Sequence, residues 1–341
     1  MAAPEDLPDT EQLVVCRDRP TGLVAIIAID DTTLGPALGG IRFKPYPSEA
    51  AAVAEAQRLG RAMTLKNALA DIAFGGGKSV ILASDAIVDR EAALLAFGRF
   101  VARCGGAYLP AADMGTGVED LQVVARTAGE VSCDDEDPST ATAIGVHAAI
   151  EVAVRAGDVA PGLAGVSVLV QGVGHVGAAL ARLLAADGAR VLVADADAGR
   201  AASVAAEVGG AVVAPDDVIG TPCDVYAPCA VARVVDDATV GRLAARIVAG
   251  AANDVLDHPG LAGELAARGI LYVPDFVANA GGVINVRALR DGWSPERRAA
   301  ALAAIGTRCG EVVHEARATG ATTLEVAEAA AYAKVGRARP A

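Results

Sequence analysis

The chain has 341 residues, 53% of them hydrophobic, which is too long for one ordinary domain and enough to bury two cores. A net charge of −13 leaves no general positive field to neutralise phosphates, so nucleic acid is excluded as a partner. The acidic N-terminus lacks the basic and apolar regions of an export signal, and no apolar run approaches the roughly 18 residues of a spanning helix, so a soluble, cytoplasmic protein without membrane contact is expected. Six cysteines without a CxxC pair and four histidines without i, i+4 spacing predict reduced thiols and no metal site.

Strand-like segments at 22–29 and 79–83 flank a helical one at 49–67. On that helix Leu59, Met63 and Lys66 fall at i, i+4 and i+7, so the lysine shares a stripe with apolar residues, and an ammonium there needs an anion. Twelve residues after Lys66, Gly75-Gly76-Gly77-Lys78 opens the strand 79–83; the glycines let backbone approach a ligand closely and bring a second lysine into the same neighbourhood. Two close ammonium groups and desolvation each disfavour protonation, which makes one lysine a candidate neutral base. Asp113 follows the apolar stretch 107–112 and precedes Met114-Gly115-Thr116-Gly117, a strand-end turn that presents a carboxylate for proton transfer. Taken singly, each has a plainer reading: snorkelling surface lysines, and an N-cap for a helix near Val118.

The acidic stretch Asp134-Asp135-Glu136-Asp137-Pro138 reads as a linker and sets a domain boundary. Beyond it lie strand-like runs at 166–170, 190–194 and 246–249, and with those at 22–29 and 79–83 they alternate with Ala-rich helical segments, which points to parallel sheets covered by helices in both halves. The fold class expected is α/β: an N-terminal α/β substrate domain over 1–138, a Rossmann-type domain over 139–286, and C-terminal helices over 287–341 packing back on the first domain.

The strand 166–170 runs into Gly172-Val173-Gly174-His175-Val176-Gly177 and then a helix ended by Gly188. Gly172 permits a tight turn, Gly174 lets backbone approach a pyrophosphate, Gly177 allows close packing of helix on strand, and the helix N-terminus offers unpaired N–H groups. The next strand ends at Asp195, 23 residues after the first glycine, where a carboxylate accepts hydrogen bonds from ribose hydroxyls. Asp195 and Asp197 repel a phosphate on that ribose, which favours NAD over NADP, with Arg200 as the opposing charge.

Leu38-Gly39-Gly40-Ile41-Arg42, Met63-Thr64-Leu65-Lys66-Asn67-Ala68, Gly75-Gly76-Gly77-Lys78, Asp113-Met114-Gly115-Thr116, Gly250-Ala251-Ala252-Asn253 and Asn279-Ala280-Gly281-Gly282 occur in this order. In that order, and over almost the whole chain, they resemble the Glu/Leu/Phe/Val dehydrogenases. The resemblance implies catalysis in a cleft between a substrate domain and a Rossmann domain, with NAD-dependent oxidative deamination of an L-amino acid to its 2-oxo acid and ammonium. Position by position, Lys66 is similar to the lysine that binds the substrate α-carboxylate beside Gly39 and Gly40, Lys78 to the base that activates water, and Asp113 to the acid/base at the amino group. Asn253 resembles the asparagine beside the substrate, Thr142 and Asn279 occupy family positions near the nicotinamide, and Ala230 joins the glycine turn, His175 and Val176 in the expected cofactor set.

Glutamate-specific members carry a lysine just before the Gly-Gly pair. Here that residue is Leu38, which leaves a side-chain carboxylate unpaired. Leu38, Ala111 and Val283 imply a small aliphatic lining and favour leucine, valine or isoleucine, with phenylalanine as the alternative inside the family. A non-catalytic NAD-binding regulator predicts loss of the lysines, and both are present. A hydroxyacid dehydrogenase wants a His acid/base, and only His175, inside the nucleotide turn, lies near the Gly-rich elements. Relatives of this kind are homo-oligomers, and a dimer is expected. Two departures from the family pattern stand out: the shorter, more acidic segment from Cys133 to Pro138, and Asp254 after Asn253.

Overall fold

The computed structural model describes residues 10–132 and 138–338, so the acidic expectation at 133–137 lies outside the described residues. The chain divides into two compact units, Met1–Glu136 with Ala331–Ala341, and Asp137–Ala330.

The first unit contains β1 (Gln12–Asp18), β2 (Leu23–Asp31), β3 (Ala37–Lys44), α1 (Glu49–Leu69), β4 (Gly75–Leu82), α2 (Arg90–Arg103), β5 (Tyr108–Ala112) and α3 (Val118–Ala128). Its sheet runs β1-β2-β4-β3-β5. The expectation of a parallel sheet needs correction here: β4, β3 and β5 are parallel, but β2 pairs antiparallel with both β1 and β4. The β1–β2 connection is a short hairpin, which only antiparallel strands allow.

Both faces of this sheet are covered, so its central strands are apolar on both sides instead of alternating with polar residues. Ile27, Ile29 and Ile41 pack with Leu94 and Phe97 of α2. Ile26, Ala28 and Val80 pack with Ala52 and Ala56 of α1. Because strand side chains alternate, the set on the α1 face includes Gly40 and Arg42 from β3 and Gly76 and Lys78 from β4. Ser48 caps α1 through a 3.1 Å bond from the Ala51 N–H.

The three glycines lie inside β4, not ahead of it. A methyl group on Gly76 would stand 2.1 Å from the Thr64 backbone nitrogen, so α1 rests directly on the strand, and Asn67 ties the two by donating from Nδ2 to the Gly75 carbonyl at 2.6 Å.

The second unit holds α4 (Ser139–Ala156), β6 (Ser167–Gln171), α5 (His175–Ala186), β7 (Arg190–Ala194), α6 (Ala198–Val208), β8 (Ala211–Val212), β9 (Cys223–Pro228), β10 (Ala245–Val248), α7 (Leu261–Ala267), β11 (Leu271–Tyr272), α8 (Asp275–Ala278), α9 (Gly281–Arg290) and α10 (Pro295–Thr319). All paired strands are parallel, in the order β11-β10-β9-β6-β7-β8. The chain turns from one side of the sheet to the other between β6 and β9, a topological switch point of the kind that forms a crevice at the carboxyl ends of strands.

The C-terminal helices divide differently from the single block expected to pack on the first domain. α10 belongs to the second unit, where its buried Cys309 lies on Ala149 of α4, whereas the final helix, α11 (Thr323–Ala338), passes Ala331 into the residues grouped with the first unit. There Lys334 donates to the Ala68 carbonyl at 3.1 Å and pairs with Asp71. Among the described residues no helix is long and apolar enough to cross a membrane.

The backbone of α1 cannot retreat from β4 as a flexible side chain would. Gly76→Ala should therefore cost about 1–3 kcal/mol in urea denaturation, an overpacking penalty. Gly263→Ala in α7, where an added methyl meets nothing within 4 Å, should leave stability unchanged or slightly raised, and equal loss in both variants would contradict this packing argument.

Candidate active site

On the α1 face of the first sheet, Lys78, Asp113 and Arg42 form one ionic cluster. Lys78 Nζ stands 3.0 Å from Asp113 Oδ2, and Arg42 Nε donates to the same oxygen at 2.7 Å. Arg42 continues to α1, its Nη1 donating to Glu55 Oε1 at 2.6 Å, and Lys44 Nζ meets Glu55 Oε2 at 2.9 Å. Five charges thus alternate in sign from Lys78 to Lys44, and the Lys78 side chain is only 7% exposed.

Local structure fixes each member. Gly40, between Lys78 and Asp113, leaves the room: a methyl there would stand 2.6 Å from Asp113 Cβ and 3.1 Å from Lys78 Nζ. Asp113 caps no helix, since the N-cap of α3 is Gly117. Its turn is held by Thr116, whose hydroxyl accepts from the Asp113 N–H at 3.0 Å and donates to the Ile41 carbonyl at 2.7 Å.

Burial pushes the Lys78 ammonium below its ordinary range, Asp113 opposes this, and Arg42 adds to it. Burial alone raises the Asp113 carboxyl, but Lys78 and Arg42 outweigh it and hold the group at about 2. The cation beside Lys78 that sequence reading did not assign is therefore Arg42. Lys66 is buried on α1 on the stripe with Leu59, and Glu55 lies one turn earlier on the same stripe. Leu38 and Gly39 are buried in β3, and Ala111 pairs with Gly40 across β5 and β3. Glu55 was missed because the stripe was followed toward Lys66 and not back from Leu59.

In the second unit the glycine turn sits at the switch point. Gly172 has φ +88°, and a methyl on it would stand 2.2 Å from Ala230 Cβ, beyond the end of β9. A methyl on Gly177 would stand 1.9 Å from the Gly172 carbonyl, while one on Gly174 would meet nothing within 4 Å, leaving open space before the N-terminus of α5. Val176 is half-buried in the first turn of α5, and His175 before it is exposed. Asp195, after β7, accepts from the Val173 and Asp197 N–H groups at 2.9 Å each. Asn279 donates to the Ala251 carbonyl at 3.1 Å and to Asn253 Oδ1 at 2.9 Å, and its own buried Oδ1 has no partner among the described residues. Thr142 lies beside the α9 start, with Thr142 Oγ1 3.1 Å from a methyl built on Gly282, next to half-buried Val283.

These features fit a dinucleotide: open approach at Gly174, a helix N-terminus with no side-chain cap behind it, a carboxylate at the end of β7 and an unpaired buried acceptor on Asn279. Among the described residues no three His, Cys, Asp or Glu side chains gather as metal ligands.

Comparison with known proteins agrees with this partition. The profile of the Glu/Leu/Phe/Val dehydrogenase dimerisation domain matches residues 11–130, and that of glutamate/leucine/phenylalanine/valine dehydrogenase matches residues 196–341. Leucine dehydrogenase of Bacillus subtilis (strain 168) is 41% identical over 85% of the chain and 81% of its own length. Valine dehydrogenase of Streptomyces coelicolor is 42% identical over 97% of the chain and 93% of its own length. The crystal structure of L-tryptophan dehydrogenase from Nostoc punctiforme superposes with a TM-score of 0.84 at 35% identity, covering 97% of each chain. The class defined is that of the amino-acid dehydrogenases, oxidoreductases built from an α/β unit and a Rossmann-type unit. Within it, the chain belongs to the Glu/Leu/Phe/Val dehydrogenase family.

The Asp113 carboxyl titrates lower in the folded chain than when unfolded, where it takes an ordinary value of about 3.9. Its ion pairs therefore stabilise the fold above that value and lose their effect as pH falls toward about 2. Chemical denaturation between pH 6 and pH 2 should show the gap between wild type and Asp113→Asn narrowing as pH falls. A gap of constant size would show that the carboxylate is not held ionised.

Proposed function

We propose that the chain catalyses reversible, NAD-dependent oxidative deamination of a branched-chain L-amino acid, leucine, valine or isoleucine, to its 2-oxo acid and ammonium. The observation that carries this reading is the buried Lys78–Asp113–Arg42 cluster beside Gly40. A bound nicotinamide supplies the hydride acceptor. Gly172, Gly174, Val176, Gly177, Asp195, Ala230, Thr142 and Asn279 would hold the cofactor, with His175 at its rim.

Lys66 engages the substrate α-carboxylate beside the backbone of Gly39 and Gly40, and Asn253 helps orient the substrate. Asp113, held as a carboxylate, takes the proton from the substrate ammonium so that the amine lone pair is free as hydride leaves Cα. Lys78, which burial makes easier to deprotonate, accepts a proton from water as its oxygen adds to the imine carbon. The returning ammonium then stabilises the developing oxyanion. Collapse of the carbinolamine breaks the C–N bond, with Asp113 relaying a proton to the departing amine.

The leucine and valine dehydrogenase relatives at 41% and 42% identity support the substrate class. Leu38, buried and apolar, cannot pair a second substrate carboxylate, which argues against glutamate. Ala111 and Val283 leave a small aliphatic lining in this reading. For the cofactor, Arg200 lies 3.5 Å from Asp195 and 3.6 Å from Asp197, so its charge is already shared by two carboxylates and NAD is favoured over NADP. The dimerisation-domain match supports a homo-oligomer, at least a dimer, and light scattering on purified protein reads that directly.

Purified protein should reduce NAD with leucine, valine or isoleucine at mildly alkaline pH and release ammonia, faster than with phenylalanine, tryptophan or glutamate. Lys78→Ala should bind NAD normally in a fluorescence titration while losing at least about a thousandfold in kcat. Turnover by Lys78→Ala within tenfold of wild type would remove the lysine from the chemistry, and no NADH with any apolar amino acid would favour a binding protein. Because deprotonated Lys78 is the active form, oxidative turnover should rise with pH to a plateau whose midpoint lies below the ordinary lysine range.

A further inference from the structure

Asp113 is held by one oxygen only. Oδ2 receives both Arg42 Nε and Lys78 Nζ, whereas Oδ1 accepts no hydrogen bond among the described residues, and the side chain keeps 20% of its surface exposed. A guanidinium facing a lone carboxylate commonly grips both oxygens through its two-pronged fork. Here Arg42 meets Asp113 through Nε alone, and its Nη1, on the opposite edge from the Nε–Nη2 fork, is anchored on Glu55 Oε1 at 2.6 Å, which fixes the plane of the guanidinium. Glu55 in turn is fixed by Lys44 at 2.9 and 3.1 Å, and its side chain is only 15% exposed.

We propose that Glu55, acting through Arg42, is a positioning residue for the reaction: it turns the guanidinium so that a single N–H meets Asp113 Oδ2 and Oδ1 stays available to the substrate amino group. This assignment rests on the amino-acid dehydrogenase reading above. Without Glu55 the guanidinium loses the bond that fixes its plane and can turn its Nε–Nη2 edge square onto Asp113, which withdraws the oxygen that exchanges the proton. Glu55 has a second effect through its charge. It is the counter-ion that offsets Arg42 near Lys78, and it favours the protonated lysine, so its loss moves Lys78 toward deprotonation at lower pH.

The groups facing Lys78 come from every element around it. Those whose charge bears on it are Asp113 after β5, Arg42 on β3 and Glu55 on α1, with Lys44 of β3 paired to Glu55 and Lys66 buried further along α1. Of the carboxylates whose charge bears on Lys78, Asp113 touches it directly and Glu55 acts at one remove through Arg42.

Competitive labelling with acetic anhydride across a pH series, read on the Lys78 peptide by mass spectrometry, follows protonation of that lysine in cofactor-free protein. In Glu55→Gln the labelling midpoint should fall by about half a pH unit or more. In the same variant kcat for oxidative deamination should drop about tenfold or more while KM changes less than about threefold. Glu55→Asp should restore part of both effects. Arg42→Lys, which keeps the charge but cannot bridge Glu55 and Asp113 through two nitrogens, leaves Asp113 without its anchor and should lower kcat at least as far, and this variant decides the matter should Glu55→Gln fail to fold. An unmoved midpoint in Glu55→Gln, or wild-type kcat in Arg42→Lys, would overturn the assignment. The labelling experiment needs no turnover, so failure of the wild type to oxidise any amino acid sinks the functional reading without being mistaken for failure of this one.

Discussion

A carboxylate clasped between two cations in a nearly dry place is the constraint on which the first unit is built. An isolated ion at that depth would be neutralised or would break the packing around it. Asp113, Arg42 and Lys78 stay charged together because each satisfies the others, at 2.7 and 3.0 Å. That arrangement requires three adjacent parallel segments, β3, β4 and the end of β5, to deliver one side chain each to the same face. The mixed topology follows from this demand. β4 is central, flanked by β3 on the catalytic side, while the buried β2 covers its other edge and β1 completes the sheet as an edge strand.

Both units solve the same local problem, bringing a helix against a strand where something must later bind. In the first, Gly76 lets α1 lie on β4, which places the Glu55 to Lys66 stripe over the charged face. In the second, Gly177 lets α5 press on the turn at Gly172. A side chain at either position would lift the helix and with it the groups that the helix carries. Close backbone contact is therefore the means by which the polar groups are aimed, and the glycines are needed for space more than for freedom of φ, Gly172 excepted.

Much of this was legible in the sequence, for identifiable reasons. The dinucleotide turn was readable because its glycines, strand, helix and following acid obey fixed spacings, and β7 begins and ends where the pattern put it. Lys78 and Asp113 were singled out because each abuts a Gly-rich run, a local signal. The antiparallel direction of β2 was not legible, since a strand buried on both faces has no alternation from which direction or partners follow. Arg42 was quoted within a motif but given no role. Its partners lie 13 and 71 residues away, and only the strand parity that puts residues 40, 42, 76 and 78 on one face links them. The placement of α10 on α4 rests on the apolar stripe of a long helix, which says that a face is buried but not against what.

Arg42, which shares Asp113 with Lys78, changes how the chemistry divides. Arg42 carries a charge that no accessible pH removes, so its effect on Lys78 is constant. In the proposed reaction the carboxylate-binding and proton-accepting tasks fall to separate residues, Lys66 and Lys78. Glu55 limits the strength of the constant field. By sharing Arg42 with Asp113 it keeps the lysine from losing its proton so readily that, once neutral, it would be too weak a base to accept one from water. The alternation of sign along Lys78, Asp113, Arg42, Glu55 and Lys44 is thus a means of setting one lysine between those limits.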